Sequence, residues 1–153
     1  MLFDTFGTAV DWRGSVIHEL SQLGAVNGLS ADWAPFADRW LGRYQPQMDC
    51  VCSGARPWIK LDDMHREVLD ALLLEFGIAG LDEAQRRHLN NAGHRLDPRP
   101  DSVVGLKRLN RRCIIGPLSS ANVALLTNLA KHAGLPRDVI LASEPTPSHQ
   151  LQP

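Results

Sequence analysis

Apolar side chains recur at helical spacing through residues 13–96. Val16, Ile17, Leu20 and Leu23 form one stripe, and Trp33, Phe36, Ala37, Trp40 and Tyr44 form a second that Asp32 is placed to cap. Leu61, Met64, Val68, Leu69, Leu72 and Leu73 mark a third, longer helix, with Asp62 and Asp63 near its positive end and Gly77 just past its close. A fourth helix is expected over residues 82–91. Ahead of this block stands the short apolar pair Leu2-Phe3, then a stretch in which Gly7 permits a sharp turn, so a strand followed by a loop is predicted.

Pro98 and Pro100 end the helical texture, and alternation takes over. A helix is expected from Pro100 through Leu106 and Leu109, a buried strand over 113–116 and a small-residue turn over 119–122. A helix over 123–132, stopped by Gly134 and Pro136, then leads to a strand over 139–142. Helices between apolar strands in this order predict βαβ units and a parallel sheet, hence an α/β class. The expected division is a core of residues 1–13 and 98–144, an inserted helical block of 14–97, and a disordered or extended tail of 145–153 that carries three prolines.

Charge narrows the partners. Sixteen Lys+Arg against seventeen Asp+Glu give a net charge of -1, leaving no basic surplus for a nucleic-acid backbone. No apolar run approaches the roughly 20 residues that span a bilayer, and the opening Met1-Leu2-Phe3-Asp4 lacks a basic then apolar leader. A cytoplasmic protein without membrane or nucleic-acid partners is expected. Cys50, Cys52 and Cys113 read as reduced thiols, because Cys50-x-Cys52 has neither the gap nor the second ligand pair of a zinc site. His18, His65, His88 and His132 share no metal-ligand spacing and read as solvated helix positions. Neither metal nor cofactor is called for.

A carboxylate at the carboxyl end of a parallel strand sits where open α/β sheets bind ligands, and Asp4 has that place. After the next strand come the hydroxyls of Ser119 and Ser120, then a helix start whose N–H groups favour an anion. Phe3-Asp4-Thr5-Phe6-Gly7-Thr8 with Val10-Asp11-Trp12-Arg13 resembles the first motif of the haloacid dehalogenase superfamily, in the form used by its 2-haloacid dehalogenases. Gly116-Pro117-Leu118-Ser119-Ser120-Ala121-Asn122 is similar to its second motif, and the similarity extends over about residues 2–144. The resemblance implies a Rossmann-like core with a helical cap inserted after the first strand, and hydrolytic dehalogenation of short 2-haloalkanoic acids. Asp4 would be the nucleophile, and Thr8 would orient its loop. Ser119, Ser120 and, within the same motif, Asn122 would hold the substrate, although a structural role suits Asn122 as well. Phosphatase members carry an acid two residues after the nucleophile. Here that position is Phe6, which suits departure of a halide that needs no proton.

Several positions depart from the pattern. The family often has Arg after the cap Trp, where Trp40 is followed by Leu41. Arg43 is the better substitute of the nearby arginines, and Trp58 is a candidate for the cap side of the cleft. Trp33, Trp40 and Tyr44 are expected mainly as cap core. After Ser143-Glu144 the family would continue into a third-motif Lys and an acidic fourth motif, and residues 145–153 hold no Lys. The expectation is a shortened chain with an incomplete parallel sheet, for which a non-catalytic remnant is the alternative reading and a magnesium-dependent phosphatase a more distant one. A homodimer is left open.

Overall fold

The computed structural model describes residues 1–144, and the expected tail of 145–153 lies outside them. The fold is α/β. β1 (Leu2–Phe3) pairs in parallel with β4 (Gly116–Ser119), and β4 with β5 (Leu141–Ala142), giving the order β1-β4-β5. The crossover from β4 to β5 is α7 (Val123–Ala133), which ends at Gly134 in the left-handed conformation that glycine adopts without penalty. β1 is an edge of this sheet among the described residues, with Leu2 exposed.

Between β1 and β4 runs the helical block. It comprises α1 (Trp12–Asn27), α2 (Trp33–Gly42), α3 (Tyr44–Cys52), α4 (Leu61–Glu75), α5 (Glu83–Asn90) and a 3-10 turn (Asn91–Arg95), after which α6 (Ser102–Asn110) rejoins the sheet. Its two stems pair with each other. β2 (Val10–Asp11) lies antiparallel to β3 (Asp97–Pro98), with Val10 opposite Pro98. Asp11 then caps α1 by accepting from Gly14 N at 3.1 Å, and Ser15 Oγ bridges Asp11 O and Asp97 N, so one short junction fixes the exit and the return of the chain.

Apolar burial follows the stripes. One cluster gathers Val10, Leu106, Ile115, Leu125, Leu126 and Leu129 between sheet and helices, and a second gathers Leu20, Phe36, Leu69, Leu72, Leu73 and Leu89 within the helical block. α4 belongs to both: Leu61 and Met64 of its first turns pack on the core cluster, while Val68 onward packs on the helical one. This helix therefore docks the block on the core. α4 and α5 are also joined at the surface, where Arg66 binds both Asp70 and Glu83.

The structure shifts two strands. The run expected as a strand over 113–116 becomes β4 from Gly116, with Cys113 and Ile114 exposed. Ile115 donates to Asp138 Oδ2 at 2.8 Å and accepts from Asp138 N, so it is committed to the turn before β5 rather than to a ladder. Val139 N also turns to Ile115 O, which shortens β5 to Leu141–Ala142. Gly116 is required by this close approach, because a Cβ there would lie 2.6 Å from both Val139 Cγ2 and Val139 O. Gly116→Ala is expected to destabilise the fold by about 1–3 kcal/mol, the usual cost of overpacking, seen as a lower urea midpoint. α3 is a further difference. The helix expected through Tyr44 breaks at Arg43 and restarts, with Pro46 in the first turn, where its missing N–H has no intrahelical acceptor to lose.

Candidate functional site

Asp4 follows β1 directly and enters a tight loop. Thr5 O accepts from both Ala9 N and Val10 N, and Gly7 takes a φ of 83°, which a side chain would resist. Arg99, just after β3, clamps this loop by donating from Nε to Gly7 O at 2.9 Å and from its backbone N to Ala9 O. Inside the loop Thr8 Oγ1 donates to Asp4 Oδ2 at 2.8 Å, while Oδ1 has no hydrogen bond among the described residues. A carboxylate held by one oxygen keeps the other available to a ligand.

Asp4 opens into a cavity of about 360 Å³ between the sheet's carboxyl end and the helical block, within the range of small-molecule sites. Ser119 and Ser120 line it from the end of β4, and Phe6, Trp12, Leu61, Leu96 and Leu118 make its wall largely apolar. α2 and α3 contribute Trp40, Leu41 and Tyr44. The tyrosine hydroxyl is hydrogen-bonded to Ser120 Oγ across the junction of block and core.

Other expected residues fall elsewhere. Arg43 does not line the cavity: its Nη2 lies 2.5 Å from Glu75 Oε2, and Arg39 binds the same carboxylate. Two arginines of neighbouring turns thus share one acid on the outer side of the block. Trp58 stands in the segment before α4, 44% exposed and away from the cavity. Asn122 is buried and donates to Asp62 Oδ2 at 2.9 Å rather than lining the cavity. The start of α7, expected to attract an anion, already holds one, because Val123 N donates to Glu144 Oε2.

The structure adds His65. It stands on the cavity side of α4, edge-on to both Trp40 and Tyr44. It is not a solvated helix position: burial pushes its pKa down to about 4, with the nearby Asp62 carboxylate opposing only in part, so the ring is neutral near pH 7. The signal was in the sequence, since His65 stands four residues from Leu61 and four from Leu69, on the buried face. Behind it Asp62 accepts from His94 Nε2 at 3.1 Å and from Asn122 Nδ2. Burial raises the Asp62 carboxyl, but those bonds outweigh it and hold it below the ordinary value. Trp40 is both core and wall, since it packs on Phe36 and its Nε1 donates to His65 O.

No family model matches the chain, and no curated protein does. Solved structures do. The defluorinating L-2-haloacid dehalogenase Rha0230 superposes with a TM-score of 0.90 at 46% identity, over 96% of this chain and 62% of that one. The L-2-haloacid dehalogenase PA0810 gives 0.88 at 43% identity, over 92% of this chain and 60% of that one. The chain belongs to the haloacid dehalogenase superfamily. This superfamily member spans 62% of the length of the Rha0230 chain. At 23% identity, L-2-haloacid dehalogenase from Xanthobacter autotrophicus shares the fold, with a TM-score of 0.74 over 92% of this chain and 55% of that one. The Phe6 ring forms part of the cavity wall. Among the described residues no helix is long and apolar enough to cross a membrane.

Proposed function

We propose that this chain performs hydrolytic dehalogenation of 2-haloalkanoic acids, with Asp4 as nucleophile. The observation that carries the reading is Asp4 itself: a carboxylate fixed through one oxygen by Thr8 and facing a largely apolar cavity. A carboxylate can displace a halide, which leaves without needing a proton. In the first step Asp4 Oδ1 bonds to C2 as the carbon–halogen bond breaks and the halide leaves with the bonding pair. In the second, water adds to the Asp4 carboxyl carbon of the ester and the bond from that carbon to Oδ1 breaks. One proton of the water goes to the departing oxygen, giving the 2-hydroxyalkanoate, and the other passes to solvent as the carboxylate is restored. Displacement at C2 inverts its configuration. The hydroxyls of Ser119 and Ser120 on the cavity wall support this reading, as groups that would receive the substrate carboxylate. The L-2-haloacid dehalogenase character of Rha0230 and PA0810 supports the substrate class.

A second reading is a protein that binds a small carboxylate without turning it over. It draws on the cavity's charge, because no Lys or Arg lines it among the described residues and Arg39 and Arg43 are both engaged by Glu75. Incubation of the purified chain with (S)-2-chloropropionate separates the two. Chloride and (R)-lactate appearing in equal amounts establish hydrolysis with inversion. A folded sample that binds the acid and releases no chloride selects the second reading.

A further inference from the structure

We propose that Tyr44 is a positioning residue that aims the Ser120 hydroxyl at the substrate carboxylate. The proposal rests on the dehalogenase reading above and extends it to a residue of the helical block. Tyr44 opens α3, is half-buried and lines the cavity, and its hydroxyl is paired with Ser120 Oγ.

The surroundings leave this pair a defined part. Ser120 is anchored from behind, where its carbonyl accepts from Ser143 Oγ at 2.8 Å. Ser119 Oγ is already used as an acceptor by Ala121 N at 3.2 Å. The Tyr44 ring is held edge-on to His65, with centroids 6.3 Å apart, which limits where its hydroxyl can swing. A serine hydroxyl has one hydrogen to give and two lone pairs to fill. When the Tyr44 O–H donates to Ser120 Oγ, the serine hydrogen is left to point into the cavity, and the polarised O–H is a better donor to an anion. This matters more here than in a site built on arginine, because Arg39 and Arg43 both face Glu75 and Leu41 faces the cavity instead. The Ser120 hydroxyl offered to the anion is thereby set by a hydroxyl from the other side of the junction between block and core. This setting is completed only when α3 and the β4 loop are in register.

A four-protein cycle tests this: the unaltered chain, Tyr44→Phe, Ser120→Ala and the double variant, each assayed for halide release from 2-chloropropionate and for binding of unreactive lactate. Tyr44→Phe keeps the ring and its contact with His65, and circular dichroism checks that it folds. The expected result is a KM and a lactate Kd raised about tenfold in Tyr44→Phe, with kcat changed less than twofold. The double variant should be no weaker than Ser120→Ala alone, because the tyrosine acts through the serine. Unchanged KM and Kd in Tyr44→Phe, or losses that multiply in the double variant, overturn the proposal while leaving the dehalogenase reading intact. Lactate binding that follows the expected pattern without any halide release sinks the hydrolytic reading and keeps the positioning one. A chain that binds no lactate at all removes the positioning role.

Discussion

Asp4→Asn is expected to lower halide release at least about a thousandfold, to the level of the uncatalysed reaction. The amide is nearly the shape of the carboxylate, but its oxygen is a poor nucleophile and carries no charge to drive displacement at C2. The loss should fall on kcat, because removing the attacking group leaves the cavity wall and the two serines in place. Folding should change little: the side chain is exposed, and Thr8 Oγ1 can donate to the amide oxygen as it does to Oδ2. Residual activity above background in Asp4→Asn would show that another group attacks the carbon. The measurement is chloride release over hours, beside the urea midpoints of both proteins.

The second large effect concerns acid. His65 is neutral in the folded protein because burial lowers its pKa to about 4, whereas in the unfolded chain it titrates near 6.5. The unfolded state therefore binds the extra proton first. The stability this neutral ring permits is complete above pH 6.5, falls as the pH drops toward 4, and levels off below it. At about 1.4 kcal/mol for each unit of difference, the loss approaches 3 kcal/mol between pH 7 and pH 4. Asp62, Glu19 and Asp38, all held below their ordinary carboxyl values, act only at the lower end of this range and beyond. His65→Gln should flatten the decline between pH 6.5 and 4.5, as read from urea midpoints. An equal slope in the variant would assign the effect to other groups. Below the transition the cavity would also acquire a cation beside Tyr44, altering its preference for anions.

What could be foreseen from the sequence divides by the range of the signal. The stripes of α1, α2 and α4 were legible because many apolar residues repeat at one period. α3 was not, because its nine residues bury nothing completely, so its sequence carries no stripe. β2 and β3 were missed for a related reason: two-residue strands have no periodicity, and their partners lie 86 and 88 positions away (97 less 11, and 98 less 10). The apolar look of Ile114 and Ile115 misplaced β4, since nothing local shows that Asp138 satisfies Ile115 first. At the site, Asp4, Ser119 and Ser120 could be grouped from motif order, and the structure brings them to one cavity. Tyr44 could not, and for His65 the helical spacing gave its buried face but not its place on the cavity, because both depend on how α2, α3 and α4 cross. Arg43 was singled out by its proximity to Trp40 in sequence, while in the fold it pairs with Glu75 on α4 and does not line the cavity.

The antiparallel clasp of β2 and β3 has an evolutionary consequence. It holds the two ends of the helical segment within about 5 Å of each other, the spacing of paired strands. Seen from the sheet, residues 12–96 are a single long excursion that leaves and returns through one doorway. Helices within it can lengthen, shrink or be exchanged without altering the spacing at which β1 delivers Asp4 and β4 delivers its serines. The constraints that remain are the patch where Leu61 and Met64 rest on the core and the polar links of Tyr44 to Ser120 and of Asp62 to Asn122. The cavity wall can thus drift in the excursion while Asp4 stays where it is.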